Sequence, residues 1–173
     1  MSWDDFYRRR DAVNTVLATA ARRGNGALPY DELPAVREVF GTREELLTTL
    51  QYKWQQTLTG QIDVAIAEAD DDPRIDRFDV VRDAWLAATK REPVLRAVLD
   101  ANEHHPAISG RIANERRKLA HLAGLTSAGD SEEEATHLGG TFLALVRAGN
   151  DKAGNSPRRG TALLRKLADA VSA

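Results

Sequence analysis

Glu103-His104-His105 is the first stretch whose side chains could hold a metal ion, since imidazole and carboxylate are ordinary zinc and iron ligands. Its spacing works against that. Neighbours on a helix point about 100° apart, whereas ligands that converge sit at i, i+4, and His121 and His137 lie far along the chain. A metal site and a polar helix end are the two readings, and the spacing favours the helix end. Asp70-Asp71-Asp72 lacks the glycine and the distant glutamate of a calcium loop. Gly24-Asn25-Gly26 follows a helix and has no Lys-Ser/Thr partner, so it is no phosphate loop. With no cysteine, disulfides, thiolate ligands and a Cys nucleophile are excluded. Ser, His and Asp occur, but nothing in their order joins them as a triad. The expectation is a protein without catalytic residues, cofactor or metal.

Arginine is the remaining residue type that could act on a ligand. Arg8-Arg9-Arg10 could touch a nucleic-acid backbone or form a solvated helix face. Over the whole chain Lys+Arg total 24 and Asp+Glu 26, a formal net charge of −2. Within residues 1–54 every basic side chain is matched by an acidic one. Affinity for duplex DNA rests largely on cations that neutralise phosphates, so this balance argues for the solvated face.

The elements that must position these residues are helical. The 173 residues suit one domain, or a small one fused to a larger. A hydrophobic share of 42% and a charged share of 29% give enough apolar material for a core. No apolar run is long enough to span a bilayer, which predicts no membrane partner. Met1 to Asp5 is acidic where a signal peptide would be basic, so the expected location is cytoplasmic.

Ala, Leu, Arg and Glu dominate between punctuating Gly and Pro, and no stretch alternates as a half-buried strand does. The first helix is predicted over Trp3 to Arg23, capped by Ser2, with Phe6, Val13, Val16, Leu17 and Ala20 on one stripe. Two short pieces follow, Pro29 to Leu33 and Pro34 to Phe40, each opened by a proline at a first helical position. Thr42 and Glu45 have capping-box spacing and open a helix that fades near Ala69. Further helices are predicted at about 75–90, 93–101 and 106–123. Ser131 and Glu134 form a second capping box for a helix carrying Leu138, Phe142, Leu145 and Val146. Pro157 opens a last helix with Leu163, Leu164, Leu167 and Val171. The total is eight or nine helices and no sheet.

Phe40-Gly41-Thr42-Arg43-Glu44-Glu45-Leu46-Leu47, followed later by Arg91-Glu92-Pro93-Val94-Leu95-Arg96, resembles the TetR family of transcriptional regulators. The resemblance implies an all-α fold with a reduced helix-turn-helix-like unit over 1–45 and a helical effector-binding and dimerisation domain over 46–173. It implies a ligand-responsive homodimer that acts on double-stranded DNA. Arg8, Arg9, Arg37 and Arg43 would then face DNA. Trp54, Leu58, Phe78, Trp85 and Ile112 would line a pocket for a small apolar effector, the alternative being ordinary core packing. Leu138, Gly139, Phe142, Leu163 and Leu167 would meet the second protomer, with Gly139-Gly140 permitting close helix approach. The chain departs from the family at the DNA-reading head, which is short by roughly two helical turns. A second class therefore stays open: a TetR-like descendant that no longer binds DNA and serves as a dimeric small-molecule-binding or protein-interaction module.

Overall fold

Helix signals in the sequence are spaced so that each amphipathic stretch ends at a glycine, a proline or a polar cap, and the chain folds accordingly. The computed structural model describes residues 3–69 and 74–152. Seven helices occupy them, with no strand among the described residues: α1 Trp3–Arg23, α2 Pro34–Val39, α3 Arg43–Ala69, α4 Arg77–Arg91, α5 Pro93–Ala101, α6 Pro106–Leu122 and α7 Glu132–Lys152. The expected final helix from Pro157, with Leu163 and Leu167, lies outside the described residues, as do Ser2 and Asp70 to Pro73.

The helix starts follow capping chemistry. At α7, Glu134 N donates to Ser131 Oγ at 3.2 Å and Ser131 N donates to Glu134 Oε2 at 2.7 Å, the reciprocal pair of a capping box. The Ser131 N–H and then its hydroxyl hold the Glu134 carboxyl below its ordinary value. At α3, Glu45 N donates to Thr42 Oγ1 as expected, but the Glu45 carboxylate reaches past Thr42 to the N–H of Gly41. Asp76 caps α4 by accepting from Phe78 N at 2.9 Å.

Two expectations in the N-terminal third are corrected. Pro29 to Leu33 is not helical, so α1 and α2 alone precede α3. Leu28, Pro29 and Tyr30 are buried, and the Tyr30 hydroxyl donates to the Phe40 carbonyl at 2.9 Å. That buried bond anchors a non-helical strap across the core. Gly26, at φ +69°, makes the strap possible: a Cβ there would stand 2.6 Å from the Ala97 carbonyl oxygen on α5. The second correction is Phe6, which is half exposed beside the buried stripe of Val13, Val16 and Ala20 rather than part of it.

One continuous core runs from Ala12 on α1 to Val146 on α7. α3 packs on α4, α5 and α6, and α7 packs chiefly on α6. Gly139 explains the closeness of that last pair, because a Cβ on it would collide with the Arg116 backbone. The Gly139 site therefore serves approach of α7 to α6 within one chain.

This contact can be tested. Gly139→Ala should destabilise the fold by about 1–3 kcal/mol or more through overpacking. Gly110→Ala on exposed α6 surface, where nothing lies within 4 Å, should instead stabilise by about 0.5–1 kcal/mol. Urea unfolding of both variants checks the contrast.

Candidate functional site

The apolar stripe of α3 contains one polar residue. Gln51 is fully buried among Leu46, Leu47, Leu50, Trp54 and Leu58. The stripe of α6 likewise contains Glu115 between Ile112 and Leu119, at 5% exposure. These two positions meet. Glu115 Oε2 accepts from Trp54 Nε1 at 3.0 Å and from Gln51 Nε2 at 3.2 Å. Arg96 of α5, also 5% exposed, approaches Glu115 Oε1 at 3.4 Å and lies over the Trp54 ring at 4.8 Å.

The network then runs outward. Arg96 Nη2 is 2.9 Å from Asp100 Oδ1, and Arg147 of α7 bonds the same oxygen at 2.7 Å. Arg147 in turn covers the Trp85 ring at 5.5 Å, and Trp85 meets Trp54 edge to face with centroids 6.4 Å apart. Gln51 Oε1, Arg96 Nε and Trp85 Nε1 are buried with no hydrogen-bond partner among the described residues. Chemically this is an anion held by one indole, one amide and one guanidinium. It fixes the relative positions of α3, α5 and α6, and through Asp100 it ties in α7.

The residues expected to line an effector pocket fall around this centre. Trp54, Leu58, Trp85 and Ile112 are buried, and all four belong to the core cluster, with Phe78 packed against it. Phe78 stacks edge to face on Phe142 at 5.0 Å. The five side chains are thus packed on protein, while two surface clefts lie along α1 and α2. Phe142, at 1% exposure, packs against Phe78 of α4 within its own chain. Leu138 is half-buried on α7.

The four arginines expected to face DNA are divided. Arg9 pairs with Glu45 and lies over the Phe40 ring at 5.1 Å. Arg43 pairs with Asp31 and faces the Tyr30 ring at 6.0 Å. Both therefore brace the start of α3. Arg8 and Arg37 remain exposed. The Glu103-His104-His105 stretch is a helix end: His105 Nδ1 caps α6 by accepting from Ala107 N, Glu103 pairs with Arg116, and His104 is solvated. No group of three metal-ligating side chains occurs among the described residues, and no described helix is long and apolar enough to cross a membrane.

Sequence reasoning missed Gln51, Arg96, Asp100 and Glu115. The available signal was a polar residue at core spacing in each of two otherwise apolar stripes. No protein-family model, curated protein or solved structure matches the chain.

Glu115→Gln keeps an acceptor for Trp54 and Gln51 but removes one of the two carboxylates that face buried Arg96, leaving Asp100 as its counter-charge. It should cost about 2 kcal/mol. Adding Arg96→Met should return part of that loss, because the cation that lost a partner is then gone from the core. A double-mutant cycle by urea unfolding measures it; strictly additive costs would mean the two charges do not interact.

Proposed function

We propose that this chain is a TetR-like helical module that works by binding other molecules at its surface and does not read duplex DNA. The observation that carries the reading is the segment between α1 and α3. It holds a single helix of six residues, Pro34–Val39. A helix-turn-helix reader needs two consecutive helices there, one across the backbone and one in the major groove.

The side chains agree. Arg9 and Arg43 stand in ion pairs with Glu45 and Asp31, whose carboxylates would sit beside any phosphate that approached. The balance of charge over residues 1–54 leaves no positive field to steer DNA. In place of a basic face, the start of α1 exposes Trp3, Phe6 and Tyr7 in mutual ring contact. Aromatic side chains are enriched at protein interfaces and scarce as exposed clusters elsewhere. The second reading, a repressor with a shortened head, draws on the exposure of Arg8 and Arg37.

Retention of sheared genomic DNA on the folded protein, across a low-to-moderate salt series, separates the two. The module reading expects no enriched fragments at low salt and no effect of Arg37→Ala or Arg43→Ala. Discrete fragments that are lost steeply as salt rises would overturn it.

A further inference from the structure

Gly24-Asn25-Gly26 joins α1 to the strap and sets an amide side chain beside a glycine nitrogen. Asn25 is exposed to water, whereas Gly26 is packed against α5. The Ala27 N–H donates to Asn25 Oδ1 at 3.0 Å, an Asx turn that folds the carboxamide back along the main chain. The Gly26 N–H donates no hydrogen bond among the described residues.

We propose that Asn25-Gly26 is a site of spontaneous covalent modification, in which the chain deamidates itself. The Gly26 nitrogen gives its proton to base and attacks Asn25 Cγ. A C–N bond forms and closes a succinimide ring, while the side-chain amide takes up a proton and leaves as ammonia. Water then opens the ring at either carbonyl. One product carries aspartate at this position. The other carries isoaspartate, in which the main chain runs through the former side chain. One water is consumed and one ammonia released, with nothing oxidised or reduced. The reaction needs no partner, so it stands whether or not the chain binds DNA.

Three features single out this pair. The Gly26 proton is lost without breaking a hydrogen bond. Gly26 has no Cβ to obstruct the approaching Cγ. The oxygen that gains charge as the bond forms, Asn25 Oδ1, already accepts from the Ala27 N–H. Other asparagines lack the first feature. Asn14 and Asn114 precede residues inside α1 and α6, whose N–H groups donate to the preceding turn. Asn102 precedes Glu103, whose N–H donates to the Asp100 carbonyl.

The isoaspartate product would disturb the fold at a tight place. It lengthens the main chain by one carbon immediately before Gly26. A Cβ on Gly26 would already stand 2.6 Å from the Ala97 carbonyl oxygen, so the longer backbone must lift the strap away from α5.

Incubation of the folded full chain in warm, mildly alkaline buffer tests this, followed by peptide mapping with fragmentation that separates aspartate from isoaspartate. Asn25 should convert faster than Asn14, Asn102 and Asn114 by roughly tenfold or more. A parallel incubation in guanidinium chloride should convert Asn25 no faster than the folded chain does, because the turn already poses the reacting groups. Asn25→Asp, which has the charge without the added carbon, should melt with the wild type. The isoaspartate fraction of the aged protein should melt below both. An Asn25 that stays intact, that reacts no faster than the helical asparagines, or that reacts faster unfolded than folded would overturn the proposal. An isoaspartate fraction that melts with the wild type would overturn its effect on the strap.

Discussion

A carboxylate sealed inside a protein must be surrounded by donors, and Glu115 draws its donors from two helices besides its own. Trp54 and Gln51 come from α3 and Arg96 from α5. Burying an ion costs several kcal/mol, and the cost is offset only when every partner is in place. A helix rotated or shifted by one residue would leave the charge unpaired in an apolar core. The polar centre therefore acts less as a source of stability than as a constraint on register, which apolar packing by itself enforces loosely.

The rest of the fold extends from that constraint. Fixing Arg96 presents Asp100 at the edge of α5, where Arg147 can reach it. Arg147 then closes over Trp85 while Gly139 lets α7 lie directly on the α6 backbone. At the other end Tyr30, hydrogen-bonded to Phe40, anchors a non-helical strap whose Gly26 lies against α5. Arg9 and Arg43 brace the start of α3 against α1 and the strap. Arg9 and Arg43 thus hold helices together, while Arg8 and Arg37 stay exposed.

The helices were legible because their signals are local. Thr42 with Glu45, Ser131 with Glu134, and the prolines at positions 34, 93 and 106 mark starts that need no tertiary knowledge. Pro29 misled for the same reason: it carries the local mark of a helix start, but Tyr30 and the close approach of Gly26 to α5 decide its conformation from a distance. Phe6 misled because a helical stripe is wide enough to include a flank, and only the packing of α2 decides which flank is covered. Glu115 and Gln51 were passed over because attention to apolar periodicity skips the polar residue within the stripe. Gly139 was read correctly as a sign of close helix approach, while the identity of the approaching helix was not encoded locally.

The role of the Glu115 centre is tested most directly by indole hydrogen exchange. Nuclear magnetic resonance of the three tryptophan Nε1–H groups distinguishes a hydrogen-bonded buried indole from a free one. Trp54, bonded to Glu115, should exchange only with global unfolding, while Trp3 should exchange at the rate of an exposed ring. Exchange of Trp54 as fast as that of Trp3 would mean that the carboxylate does not hold α3 and α6 in register.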